Sequence, residues 1–396
     1  MKKLFTLFIA FHLTFTAYQA KADYWTQKAD FAGGDRKMMV GFSIGTKGYL
    51  GTGYSTTDHN DLWEWDQATN IWTQKATLPG AVRRLAVRFS IGAKGYIGTG
   101  YNGIYLNDLW EWDQATNSWM QKANMGASLS HAVALVIGTK AYVATGYDGT
   151  QKADLWEWDQ ATDTWSQKTP LPGPPRAGAS GFAMGNKIYV ANGDGGVFDL
   201  WEWNQLSDSW TQKANFGGNP VYMSRGFNIG NWGCTGTGTV ASGYTADFWL
   251  WDQASDTWIQ KAMVGGPGRS YASSFSIGNN GYIGTGGSSS AVNISDFWEY
   301  TADSTTDIEE QFTNFNLQFT ITPNPAKDFI TIDIPNLQDS KYITITGAQG
   351  KKVYEKPLTP KGEPTINIPL LKLSAGVYFV ELSYGKQKAV KKFLKE

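Results

Sequence analysis

The chain is expected to be all-β: a six-bladed β-propeller closed by its N-terminal strand, followed by a small C-terminal β-sandwich. Three observations predict this. The element DLWEWDQATNIWTQKA at 61–76 returns in close copies beginning at Asp108, Asp154, Asp199 and Asp247. Its outermost copies are split, since DYWTQKA at Asp23 holds only the second half and DFWEYTAD at Asp296 only the first. The composition, with 45 Gly and 18 Trp in 396 residues, suits short strands and tight turns better than helices.

Taken in order, residues 1–22 (MKKLFTLFIAFHLTFTAYQAKA) have the form of a secretory signal peptide. Lys2 and Lys3 form its positive end, Leu4 to Ala17 its apolar stretch, and Ala20-Lys21-Ala22 the cleavage site. The apolar stretch is shorter than the roughly 20 residues that span a bilayer. No transmembrane segment is therefore expected after signal cleavage. An exported chain with Cys234 as its one cysteine forms no internal disulfide, so packing has to stabilise it. Cys234 falls where Tyr49, Tyr96, Tyr142, Tyr189 and Tyr282 stand in the other copies and reads as a buried small residue on a strand.

The propeller is expected over 23–303. The tryptophans of the WxQK element, Trp25, Trp72, Trp119, Trp165, Trp210 and Trp258, are spaced by 47, 47, 46, 45 and 48 residues. A period in that range denotes a solenoid, a propeller or an array. Each period holds four strand-like pieces, in the first case RKMMVGFSIG, KGYLGTGY, DLWEWD and IWTQKA, punctuated by Gly, Thr, Asn and Asp. Both faces of DLWEWD carry large residues, as they would if each sheet pressed on two neighbours. Pairing the orphan N-terminal strand with the three-stranded last copy closes the ring and leaves no open edge. Arg36, Tyr49, Gly53, Trp65 and Trp72, recurring through the region, resemble the Kelch repeat. In Kelch propellers the aromatic of the second strand is followed by two glycines, whereas this chain has Thr52-Gly53 and Thr99-Gly100. The resemblance implies a propeller of the kind found in the central domain of galactose oxidase.

Residues 304–317 are polar and read as a linker, and 318–396 as a β-sandwich of alternating strands. The tail resembles the C-terminal sorting domain (Por type A) of the type IX secretion system of Bacteroidetes. The residues that carry this are Pro323-Asn324-Pro325 with Asp328, Gly350 with Val353, Leu373 with Gly376-Val377-Tyr378, and the basic end Lys391-Lys392-Phe393. The resemblance implies the type IX secretion machinery as a partner and passage through the periplasm to the cell surface or exterior.

Charge divides unevenly. Residues 23–317 hold 19 Lys and Arg against 28 Asp and Glu, whereas 318–396 hold 12 against 7. An acidic main domain argues against nucleic acid as a partner. The residues that recur in most blades read as architecture, so function is sought where blades differ. Asp66 is placed to cap backbone amides of the following turn, and Glu64 to meet Lys75 across the sheet. Arg36, Arg83, Arg176 and Arg269 occupy one equivalent position, which Leu129 and Val221 interrupt. Two readings stand: a ring of guanidiniums attracting carboxylates, phosphates or sugar acids, or ties from one blade to the next. The second-to-third-strand loops vary most, and place Tyr54, His59, Tyr101, Tyr105, Asp148 and Asp194 on the same rim as candidate ligand-binding residues.

No catalytic residues, metal site or cofactor are expected. His59, His131 and Cys234 do not supply the copper ligands and Tyr–Cys crosslink of galactose oxidase, and no sialidase S-x-D-x-G-x-x-T-W turn, G-x-S-x-G, H-E-x-x-H or P-loop pattern occurs. NGDGG at 192–196 lacks the spaced carboxylates of a calcium loop. The expected activity is binding of a glycan or protein. The alternatives are a carbohydrate-active enzyme, mutarotase-like or glycosidase-like, using an Arg-lined channel mouth, or a structural surface protein.

Overall fold

The computed structural model describes residues 23–289, 291–302, 319–334, 342–347, 352–358, 365–384 and 387–396. The signal segment, the linker and Gly350 lie outside the described residues. The described chain forms two compact units, one ending at Ala302 and the other in the tail, and all of its regular secondary structure is strand.

Among the described residues of the first unit there are six antiparallel four-stranded sheets. The first consists of Val40–Ile44, Lys47–Gly51, Leu62–Asp66 and Ile71–Lys75 in that order. The next four begin at Val87–Ile91, Val133–Ile137, Ser180–Met184 and Arg225–Ile229. The sixth takes Ser273–Ile277, Asn280–Gly284 and Phe297–Thr301 from the end of the unit and Tyr24–Lys28 from its start, with Trp25 opposite Tyr300. The two half-copies of the repeat thus share one sheet.

Three sets of contacts join each sheet to the next. Each WxQK indole donates to a carbonyl of the preceding sheet: Trp72 to Ala29 at 2.9 Å, Trp119 to Ala76 at 2.8 Å, and so on to Trp25, which reaches Ala262 at 2.9 Å. A second chain of bonds runs through the residue two before each inner strand. Met38 N–H donates to Tyr271 C=O, Leu85 to Met38, His131 to Leu85, Gly178 to His131 and Met223 to Gly178. These residues share a positive φ of 55–63°, a cost repeated for architecture. Third, aromatic rings enter notches. A Cβ on Gly48 would lie 2.1 Å from Phe275, and one on Gly95 2.4 Å from Phe42. Where Leu135 replaces the phenylalanine, Ile188 replaces the glycine, and the two pack in one cluster.

The Thr-Gly pair has a local cause. Thr52 and Thr99 adopt φ of 55° and turn the chain out of the second strand. A Cβ on the following Gly53 or Gly100 would press within 2.8 or 2.9 Å of a backbone carbonyl, so only glycine fits there.

Tyr49 OH donates to Glu64 at 2.7 Å and accepts from Gln114 of the next sheet at 2.8 Å. This network repeats at Tyr96, Tyr142, Tyr189 and Tyr282. The fifth sheet drops it as a unit. Cys234 is buried, Leu250 stands opposite in place of the glutamate, and the sixth sheet has Ala302 in place of the glutamine. Lys75 meets Glu64 at 3.1 Å, and Asp66 accepts from Ala68 N–H at 2.8 Å, as the repeat predicts.

In the tail, a three-stranded sheet (Thr320–Thr322, Phe329–Asp333, Thr365–Pro369) and a four-stranded sheet (Lys352–Pro357, Tyr342–Gly347, Gly376–Tyr384, Gln387–Lys395) share one core that includes Ile330, Ile332, Ile345, Val380 and Phe393. The sorting motifs, far apart in sequence, meet here. Pro323, Asn324 and Pro325 form the turn before Phe329–Asp333, and Leu394 N–H donates to Asn324 Oδ1 at 3.0 Å. The Asp328 carbonyl accepts from Leu370, Tyr378 stacks on Phe393 at 5.6 Å beyond Gly376, and the Lys391 ammonium lies over Phe319. The Lys392 side chain lies outside the described residues.

Deleting residues 23–29 removes a paired strand, the Trp25 bond and the acceptor of Trp72. The loss should reach about 3 kcal/mol or more, and lower the midpoint of thermal unfolding by roughly 10 °C. An unchanged midpoint would show that the sixth sheet does not need its N-terminal strand.

Candidate functional site: the loop rim and the central channel

The recurrent arginines are the first candidates to be resolved. Arg83, Arg176 and Arg269 are fully buried and Arg36 is 5% exposed. Each binds the aspartate that opens the third strand of its own sheet. Arg83 forms a fork with Asp108, both bonds 2.6 Å, and also donates to the Thr99 carbonyl at 3.1 Å. Arg36 meets Asp61 at 2.6 Å, while Arg176 and Arg269 fork onto Asp199 and Asp296. The same aspartates accept the indole N–H of Trp63, Trp110, Trp201 and Trp298. Burial alone would raise the Asp108 carboxyl, but the hydrogen bonds and charge of Arg83 outweigh it and hold the group below its usual range. The guanidiniums are spent within their own blades. They also bond carbonyls of the loop that leads into each sheet, Gly33 for Arg36 and Gly265 for Arg269, and none of the four lines the central cavity.

The other candidates lie on the rim. Fourth-to-first and second-to-third loops of one sheet are joined by short bridges such as Lys37 with Tyr54, Arg84 with Tyr101 and Ser130 with Tyr147. This brings several side chains into one arc. The Arg84 guanidinium lies 4.9 Å from the ring centre of Tyr54 and 5.1 Å from that of Tyr101, and is anchored by Asp58 at 2.9 Å. Tyr101 meets Tyr105 at 5.1 Å, Tyr105 meets Tyr147 at 6.0 Å, and Tyr147 meets His131 at 6.3 Å. Asp148 sits beside the arc, paired with Lys152 at 2.8 Å. His59 instead bonds Ser55 at 2.8 Å, and Asp194 accepts from Ala177 N–H at 2.8 Å, so neither joins the arc through those contacts. Tyr54, Tyr101 and Tyr105 are therefore brought together around Arg84. Arg84, His131 and Tyr147, which complete the arc, were passed over. Their positions vary from sheet to sheet, so the repeat carried no signal for them.

Beneath the rim is a cavity of about 260 Å³, walled by the first strands of all six sheets. Arg88 and Arg225 line it, along with Ser43, Ser90, Asn228 and Ser276. No aspartate or glutamate lines it. Burial pushes the Arg88 guanidinium down to about 10. Arg225 falls to about 9 through burial and then through the charge of Arg88. Above them, burial and then the Arg225 charge lower His131 to about 4, with Ser130 Oγ 2.8 Å from its Nδ1. Among the described residues no group of three or more His, Cys, Asp or Glu is placed to hold a metal ion. No helix among them is long and apolar enough to cross a membrane.

Comparison with known proteins agrees with this geometry. The Kelch motif matches residues 128–172, and the secretion system C-terminal sorting domain matches residues 320–396. The chain carries a Kelch repeat and ends in a sorting domain. Among solved structures, the structure of YjhT aligns with a TM-score of 0.58 at 20% identity, covering 68% of this chain and 96% of that one. That likeness concerns the fold. No curated protein matches. The sorting domain gives the propeller its destination, which is type IX export to the cell surface or beyond it.

Two outcomes test these assignments. Arg83→Leu leaves the Asp108 carboxylate without its guanidinium and should cost about 3 kcal/mol in urea unfolding, without altering any ligand binding at the rim. His131 has a folded pKa of about 4 against an ordinary 6.5. Within that window the unfolded chain binds more protons, so stability held in full above pH 6.5 falls as pH drops towards 4. His131→Asn, which tolerates the positive φ, should flatten that part of the unfolding midpoint plotted against pH.

Proposed function

We propose that this exported Kelch propeller is a glycan-binding module acting at or beyond the cell surface. The observation that carries the reading is the arc Tyr54–Arg84–Tyr101–Tyr105–Tyr147. Tyrosine presents a flat apolar face to the C–H surface of a sugar ring and a hydroxyl at its edge, at low conformational cost. Each of these tyrosines is part-buried, so the arc is held in place before a ligand arrives. Arg84, fixed by Asp58, and the Asp148–Lys152 pair supply donors and acceptors alongside.

A protein partner is the second reading. It is favoured by apolar side chains on second-to-third-strand loops of three sheets, where Ile104 is 68%, Val292 51% and Phe198 43% exposed. An enzyme built on the four recurrent arginines loses its basis, because those guanidiniums are buried in pairs.

On a glycan array, the full chain should bind a defined subset of sugars, and Tyr105→Ala should lower that binding at least tenfold with an unchanged melting temperature. Binding lost only in proportion to stability would refute the arc as a site. Binding kept by Tyr105→Ala and lost on changing Ile104 and Phe198 to Ser, now to a surface protein, would favour the second reading. Separately, removing residues 320–396 should leave the propeller in the periplasm, as read by fractionation.

A further inference from the structure

Seven arginines stand at or near the inner strands, and two of them are unlike the rest, since Arg84 too is paired, with Asp58. Arg36, Arg83, Arg176 and Arg269 each hold a carboxylate. Arg88 has no hydrogen-bonding or ionic partner among the described residues. Arg225 has one, the Ala272 carbonyl, which takes its Nε and leaves both terminal nitrogens free.

Their positions explain where they reach. The residues equivalent to Arg88 on the other inner strands are Gly41, Ala134, Gly181, Gly226 and Ser274. They are small because the backbones converge at that level: a Cβ on Gly226 would lie 2.4 Å from the Gly181 carbonyl oxygen, and one on Gly41 3.0 Å from that of Ser274. A long side chain at this level has only the channel to occupy. Arg225 stands one level nearer the mouth, where the neighbouring strands carry Val40, Val87, Val133, Ser180 and Ser273. Both arginines are surrounded by protein yet keep some accessible surface, because they face the cavity. Each feels the other as a like charge, and no carboxylate on the wall offsets them.

Two guanidiniums enclosed together without a counter-charge destabilise the fold. Serine hydroxyls and the Asn228 amide stand on the same wall with capacity to hydrogen-bond an oxyanion. We propose that the channel is an anion-binding site in which Arg88 and Arg225 hold the carboxylate or sulfate group of a small molecule. A volume of about 260 Å³ limits the enclosed part to monosaccharide size or less. The site goes beyond the glycan reading of the rim. None of its wall residues belongs to the tyrosine arc, and it stands whether or not the arc binds a sugar.

The test is thermal unfolding of the full chain in sodium glucuronate, sodium sulfate, methyl glucoside, and sodium chloride at matched ionic strength. Wild type should melt several degrees higher in glucuronate or sulfate than in chloride or the neutral glucoside. Arg88→Met and Arg225→Met should lose that response. Glucuronate ahead of sulfate identifies an organic carboxylate, and an equal rise identifies a free oxyanion; both support an anion site. Arg88→Met breaks no hydrogen bond and removes an unpaired charge, so it should melt no lower than wild type in plain buffer. The proposal is overturned if chloride matches sulfate, if the response survives both substitutions, or if Arg88→Met alone melts lower. Rim variants such as Tyr105→Ala should keep the anion response, which separates failure here from failure of the glycan reading.

Discussion

A four-stranded sheet with aromatic side chains on both faces cannot rest against water on either side, and this constraint organises the whole first unit. Each sheet has to be covered twice, so a row of them either ends in two exposed faces or returns on itself. The contacts between sheets have a direction that suits return. A phenylalanine of one sheet enters the notch left by a glycine of the next, and each WxQK indole donates to a carbonyl of the sheet before it. The same indole bond from Trp25 to Ala262 joins the N-terminal strand to the fifth sheet, so the first strand of the unit repeats the pattern of all the others.

The sequence repeat therefore separates two kinds of arginine that look alike in composition. Those that recur are consumed by aspartates in their own sheet, together with an indole N–H. Where Leu129 and Val221 take their place, Trp156 and Trp249 keep buried indole nitrogens without a hydrogen-bond partner among the described residues. Those two sheets also carry the longest hairpins of the first unit, Lys140–Tyr147 with Gln151–Asp159 and Trp232–Val240 with Gly243–Asp252. Of the arginines outside that set, Arg84 lies over Tyr54 and Tyr101, and Arg88 and Arg225 line the cavity. A residue needed in every sheet serves the sheet, and one needed once serves something the other sheets lack.

Substitutions within the repeat likewise come in matched sets. Cys234 is accompanied by Leu250 and Ala302, so that no glutamate or glutamine is left pointing at an absent tyrosine hydroxyl. Leu135 is accompanied by Ile188, which fills the notch that a smaller partner leaves open. A buried polar group stranded by a single change is costly, and a void is costly too, which is why the sheets change by groups of residues.

The sequence by itself determined the strand content, the period, the shared last sheet and the sorting tail, because each follows from local alternation, turn chemistry or motif order along the chain. It also placed Tyr54, Tyr101 and Tyr105 on common loops. What it left open was the direction in which side chains of equivalent positions point and which partner takes them. Arg36 and Arg88 lie within the same kind of strand region, but one meets an aspartate 25 residues further on while the other enters a channel built by six strands spread over more than 230 residues. Spacing along one repeat could disclose the first partner only as a possibility, and could not disclose the channel at all. A cavity walled by strands of six sheets belongs to no repeat, and exists only once the sheets are assembled around it.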